Sequence, residues 1–159
     1  MKKDIKLYNV LFPIWFFFLF PQVWLIILAV NFVVDSLVVY FSAQRQQLPD
    51  PGSIWKKHIL SIWIAGFASD LVGAALVVLL YFGWCALDIM GIELLNPILF
   101  PGTCIISLPG VFLAGWMIYM INKKVTFKNS DLDPAAIHKL CLHLALWTAP
   151  YTMLIPLYG

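Results

Sequence analysis

Long apolar runs limit this chain to very few folds. The first run covers residues 7–41, and its one charged residue is Asp35. A bilayer crossing needs about 20 apolar residues, and in lipid each segment must hydrogen-bond its own backbone. Strand-type alternation is absent from these runs. The sequence therefore predicts an all-α, polytopic integral membrane protein with three to four transmembrane helices, and its mean hydropathy of +0.90 agrees.

Prolines and polar stretches divide the chain, which we expect to form a single integral membrane domain over residues 1–159. The residue before a proline is disfavoured in a helix, so Pro13 and Pro21 should break the first run. The aromatic-rich part before Pro21 is typical of an interfacial, membrane-dipping or re-entrant helix. We predict this helix at 7–20, transmembrane segments at 22–41, 59–82, 103–121 and 137–157, and a polar loop at 42–57.

Lysine and arginine are concentrated in alternate loops, which predicts the orientation. They are present in 42–57 and 122–139 and absent from 83–97 and from the C-terminal tail. The basic loops should therefore be cytoplasmic and the C-terminus external, in a plasma or inner membrane. The N-terminal lysines also favour the cytoplasm, so residues 7–41 form either a hairpin broken near Pro21 or one crossing with an external N-terminus.

Two acids lie deep in apolar segments. Asp35 follows Asn31 by four residues, and Asp70 lies in the next segment. A charged residue at mid-membrane costs about 2.5–3.5 kcal/mol on insertion scales and by default suggests function. Because a short loop joins the two segments, we expect one cluster to bind a cation, a proton or a substrate headgroup. Its members are Asn31, Asp35, Ser36, Ser69 and Asp70. The alternative is an interhelical hydrogen-bond pair that fixes helix register or holds a subunit.

Small residues recur at every fourth position in two segments. The rows are Ala65-Ser69-Gly73, Gly66-Asp70-Ala74 and Gly110-Ala114. Such rows let helices approach closely in membranes. They predict close helix packing and favour a homo-oligomer or a membrane-protein partner.

The remaining reactive side chains suggest no metal site and no cofactor. We expect Cys85, Cys104 and Cys141 to be buried thiols, although a Cys85–Cys104 bridge stays open. His138 and His143 are five residues apart and so point in different directions on a helix. Thr148 and Tyr151 are interpreted as capping a kink. A net charge of +2 argues against nucleic acid as a partner.

Two short motifs are Asn31-Phe-Val-Val-Asp35, with the aliphatic run that follows, and Asn122-Lys-Lys-Val-Thr-Phe127. They resemble motifs of the GtrA-like small membrane proteins, which are thought to flip polyprenol-linked sugars. The resemblance implies that Asp35, Asn122 and Lys123 face a lipid-phosphate headgroup.

The sequence favours a small membrane transport protein that uses its intramembrane acids for a cation, a proton-coupled solute or a lipid-linked substrate, with membrane lipid as its surroundings. The alternative is a non-catalytic membrane subunit or scaffold. Catalytic elbows, phosphate loops and HExxH are absent. We therefore expect no enzyme, with lipid modification left open.

Overall fold

Every regular element in the described residues, 21–89 and 101–155 of a computed structural model, is helical. The all-α class is thereby confirmed. The predicted helix at 7–20 lies outside these residues. The helices are α1 (Pro21–Arg45), α2 (Pro51–Ile89), α3 (Gly102–Ile121) and α4 (Pro134–Trp147), with a π-helical turn at Asn122–Thr126 and a 3₁₀ turn at Tyr151–Leu154. Within residues 21–89 and 101–155, three spans are long and apolar enough to cross a membrane: Leu25–Arg45, Pro51–Leu87 and Gly102–Thr126.

The connection between α1 and α2 is much shorter than the loop predicted at 42–57. Helix α1 continues to Arg45, and a Schellman motif then ends it. Gln47 N–H donates to Gln44 O at 3.0 Å and Leu48 N–H to Ala43 O at 3.1 Å. Gln47 takes the left-handed conformation, with φ 53°, and Leu48 packs on the core. Between α1 and α2, only residues 46–50 lie outside the two helices.

The start of α2 depends on an aspartate followed by proline. Asp50 caps the helix by accepting a hydrogen bond from Ser53 N–H at 3.1 Å, and Pro51 occupies the first helical position, which suits a residue without an N–H. Helix α4 begins in the same way, because Asp133 accepts from Ala135 N–H at 3.1 Å. The Asp-Pro sequence is the same at both sites, but the first lies inside the polar loop predicted at 42–57.

Helix α2 is longer than a membrane crossing. Its 39 residues extend about 58 Å at 1.5 Å per residue, whereas the hydrocarbon core is about 30 Å thick. The segment predicted at 59–82 is therefore the middle of a longer helix. Its first turns, with Lys56 and Lys57, continue into the polar end of the molecule.

The last helix is shorter than the segment predicted at 137–157. Helix α4 has 14 residues and ends at Trp147, with Thr148 as its C-cap. Pro150 follows and has no N–H to continue the helix. The 3₁₀ turn then packs on α3, where Cys104 Sγ donates to Leu154 O at 3.6 Å.

The helices pack in a ring in which α1 contacts α2, α2 contacts α3, α3 contacts α4, and α4 returns to α1. The core lies at the end of this ring that holds the α1–α2 connection and the π-helical turn. Its buried members come from all four helices and from Phe127: Val39, Ala43, Ile54, Ile62, Ile118, Phe127, Leu140, Cys141 and Leu144. This end fixes the mutual positions of the helices.

Glycines bring α2 and α3 into backbone contact. A Cβ on Gly73 would lie 2.6 Å from Gly110 O, and a Cβ on Gly110 would lie 2.7 Å from Gly73 O. Real Cβ atoms do not approach a carbonyl oxygen so closely. Two of the predicted small-residue rows therefore pack against each other within one chain.

We predict that Gly73→Ala and Gly110→Ala each lower the free energy of unfolding by about 1–3 kcal/mol through overpacking. The measurement is reversible unfolding in mixed micelles. Gly83→Ala is the matched control on α2, because a Cβ there meets nothing within 4 Å. Equal stability of Gly73→Ala and Gly83→Ala would contradict the close contact.

Candidate functional site

A tryptophan of α2 fixes its register against α1. Trp63 Nε1–H donates to Leu28 O at 3.0 Å. Its ring also meets Phe32 edge-on, with the ring centroids 6.0 Å apart. Because Phe32 is one turn before Asp35, these contacts determine which part of α2 faces Asp35.

Asp35 lies at the junction of α1, α2 and the end of α4. Its side chain is 4% exposed. A Cβ on Gly66 would be 3.4 Å from Asp35 Oδ2, so the carboxyl lies directly against α2 at Gly66. The Thr148 hydroxyl lies beside the same carboxyl. Three parts of the chain thus enclose this acid.

Asp70 lies one turn beyond Gly66 on the same face of α2. Because the Asp35 carboxyl meets α2 at Gly66, Asp70 lies about one helical turn from that carboxyl, near enough for the two charges to repel each other. Asp70 Oδ1 is buried and accepts no hydrogen bond from the described part of the chain. Buried polar atoms are almost always hydrogen-bonded. This oxygen therefore marks a place where a proton or another positive group is needed.

The two serines of the predicted cluster are already engaged by their own helices. Ser36 Oγ donates to Phe32 O at 2.7 Å, and Ser69 Oγ donates to Ala65 O, also at 2.7 Å. Each hydroxyl already donates its one proton to a backbone carbonyl oxygen, so it can only accept a further hydrogen bond. Asn31 is half-buried one turn before Asp35 on α1. The structure therefore places the two acids on packed parts of α1 and α2, whereas the two serines bond within their own helices.

Thr148 was not among the predicted site residues. Its Oγ1 donates to Leu144 O at 2.8 Å, and the same hydroxyl lies beside the Asp35 carboxyl. The only sequence signal for Thr148 was a hydroxyl beside Pro150, which does not reveal that α4 ends next to α1.

Two acids at this distance in apolar surroundings cannot both carry a bare charge. Their repulsion and their poor solvation both favour a proton or a cation between them. The available ligands are carboxylate and hydroxyl oxygens, which suit a proton or a hard cation. Within the described residues, no group of three or more His, Cys, Asp or Glu could hold a metal ion.

The other predicted contacts, Asn122 and Lys123, lie in the π-helical turn and away from the acids. Ser61 on α2 hydrogen-bonds Thr126 of that turn at 3.0 Å, and Ser61 precedes Asp70 by about 14 Å of helix. Asn122 is fully buried, with Nδ2 donating to Ile118 O at 2.8 Å. Lys123 is exposed and donates to Tyr119 Oη at 2.9 Å.

The two histidines of the last helix have separate hydrogen-bond partners. His138 Nδ1 is 2.8 Å from Tyr119 Oη, and His143 Nδ1 is 2.6 Å from Ser42 Oγ. Cys141 is buried between them, and Cys85, Cys104 and Cys141 are all free thiols. No bridge joins Cys85 to Cys104.

Comparisons with protein-family models, with curated proteins and with solved structures found no match to this chain.

We predict that Asp35 and Asp70 are energetically coupled. The test is a double-mutant cycle with Asp35→Asn and Asp70→Asn. Either substitution removes the repulsion between the two charges, so the second one raises the free energy of unfolding by less than it does alone. The coupling should be about 0.5–3 kcal/mol, the range for residues in contact. The measurement is again reversible unfolding in mixed micelles.

A cycle of Asp35→Asn with Asp50→Asn is the control, because Asp50 is exposed in the α1–α2 connection. That pair should be additive within about 0.5 kcal/mol. Additivity of the Asp35 and Asp70 substitutions would show that the two carboxyl groups do not interact.

Proposed function

We propose that this protein is a small membrane transport protein whose Asp35–Asp70 pair binds the coupling proton or cation. The observation that supports this most strongly is Asp70 Oδ1, which is buried without a hydrogen-bond donor among the described residues and close to a second carboxyl group. A permanently bonded structural pair would satisfy this oxygen. A site that binds and releases a proton or a cation does not need a permanent hydrogen-bond donor for this oxygen.

The chemistry of the pair favours a proton or a hard monovalent cation as the coupling species. Two carboxyl groups and the Thr148 hydroxyl supply only oxygen ligands, and the nearby Ser69 hydroxyl can only accept. When a cation or a second proton leaves, the two charges repel each other in a medium that solvates them poorly. Release would thus destabilise the closed contact of α1, α2 and the end of α4, which couples occupancy to helix movement.

The transported substrate is a cation, a proton-coupled solute or a lipid-linked molecule. The lipid-linked case follows from the resemblance to GtrA-like proteins. Lys123 supports it, because an exposed ammonium group at the end of a spanning segment can contact a phosphate. Its distance from the acids would make Lys123 a headgroup contact and Asp35 a coupling residue.

We further propose that the basic α1–α2 and α3–α4 connections are cytoplasmic and that the protein assembles as a homo-oligomer. Since Gly73 and Gly110 are already packed against each other, another copy would contact other faces. The exposed apolar residues of α1, such as Val30, Val33 and Leu37, offer one.

The second candidate is a membrane subunit or scaffold in which the acids hold the fold. The enclosure of Asp35 by Gly66 and Thr148 favours it, because such an acid could fix the contact between α1, α2 and α4 without any transport. The two candidates differ in whether the acids are needed for flux.

We predict that the protein reconstituted in liposomes carries a proton or alkali-cation flux that Asp35→Asn and Asp70→Asn each reduce to the level of empty liposomes. Asparagine keeps the size and polarity of the side chain but cannot exchange a proton or carry the charge that holds a cation. The measurement is dye-reported flux under an imposed pH or cation gradient, with Asp50→Asn as the control that keeps wild-type flux. Unchanged flux in both variants would exclude the transport role of the acids and leave the scaffold.

A further inference from the structure

A groove runs between the second half of α1 and the first half of α4. It consists of two adjoining cavities, one of about 570 Å³ and one of about 370 Å³. Arg45 and His143 line both cavities, so the two form a continuous surface. The groove begins about 3 Å along α1 from Asp35, since Leu37 lies two residues later, and it extends to Arg45.

The larger cavity is polar and carries an excess of positive charge. Arg45 and Lys139 line it together with one acid, Asp133. Asp133 Oδ2 is already an acceptor for Ala135 N–H at the start of α4. No ion pair with a carboxylate engages Arg45 or Lys139 in the described ranges 21–89 and 101–155. Two cations are thus available to an anion from outside the protein.

A hydrogen-bonded chain holds His143 at the junction of the two cavities. Gln46 Nε2–H donates to Ser42 Oγ at 3.2 Å, and Ser42 Oγ is 2.6 Å from His143 Nδ1. The two hydrogen bonds hold the imidazole ring in place beside the two cations.

The smaller cavity is apolar and belongs to the spanning part of α1. Leu37, Phe41 and Trp147 line it, and Trp147 is 71% exposed. Leu37 and Phe41 lie within the candidate span Leu25–Arg45. A cationic cavity thus adjoins an apolar one at the end of a membrane-spanning helix.

We propose that this groove binds an anionic phospholipid, with its phosphate in the cavity of Arg45, Lys139 and His143 and an acyl chain along Leu37, Phe41 and Trp147. Basic pockets between helices at the membrane surface are the usual sites for anionic headgroups. Only a lipid matches both the cations and the apolar surface that continues from them. This site is separate from the acid pair and does not rest on the proposed transport function.

The test uses Trp147 as a reporter of bound lipid in nanodiscs of phosphatidylcholine with increasing fractions of brominated phosphatidylglycerol. Bromine quenches tryptophan fluorescence on contact. The Trp147 signal is the difference between the wild type and Trp147→Phe. We expect brominated phosphatidylglycerol to quench it at a much lower lipid fraction than brominated phosphatidylcholine does. Equal quenching by the two lipids would overturn the proposal.

Charge variants locate the headgroup. Arg45→Gln with Lys139→Gln should weaken the preference for phosphatidylglycerol about tenfold, the effect of losing one or more charged hydrogen bonds. Lys56→Gln with Lys128→Gln removes the same charge from exposed positions and should leave it unchanged. Arg45→Lys with Lys139→Arg should retain most of the preference, which separates loss of charge from misfolding.

Two outcomes of these arms would refute the lipid site. If the two double glutamine variants lost the preference for phosphatidylglycerol equally, that preference would come from the general surface charge and not from the groove. Displacement of the brominated lipid by inorganic phosphate at moderate concentration would assign the cationic cavity to a soluble anion.

Discussion

A carboxyl group among apolar helices is the constraint on which this arrangement depends. Each such acid costs a few kcal/mol when charged, yet the charges of Asp35 and Asp70 act on each other. The Asp35 carboxyl lies against Gly66, the bond from Trp63 to Leu28 sets the register of α1 against α2, and the end of α4 supplies Thr148. The fold therefore concentrates its unfavourable charges at one point, where a single proton or cation can neutralise them.

Helical class and the packing of α1 on α2 could be predicted from sequence, because both follow from short-range rules. The lengths of the apolar runs predicted the helices, and the short loop between the first two spans predicted that α1 and α2 are neighbours. What failed depended on tertiary context. Asp50-Pro51 was assigned to the polar loop at 42–57 although it starts α2, and Thr148 was missed because only the packing of α4 on α1 brings it to Asp35. The spacing also could not show that Ser36 and Ser69 would bond to their own helices.

Helix α1 carries two polar regions with different chemistry. The acid pair lies in the interior of the helix ring, where each charge is a cost, and the cationic groove lies at the end of the same helix beside Arg45. Positive groups near a membrane surface attract anionic lipids, whereas acids inside it attract protons and cations. An anionic lipid in the groove would contact both α1, which carries Asp35, and α4, whose C-cap Thr148 lies beside Asp35.

The most direct test is whether the acid pair holds a proton when no small cation is present. The infrared spectrum of the reconstituted protein, at neutral pH in a buffer whose only cation is choline, reports the carbonyl stretch of a protonated carboxylic acid. We predict such a band in the wild type and in Asp50→Asn, and its loss in the Asp35→Asn, Asp70→Asn double variant. A wild-type spectrum without the band would mean that two bare carboxylates coexist at this site, and it would contradict the proposed role of the pair.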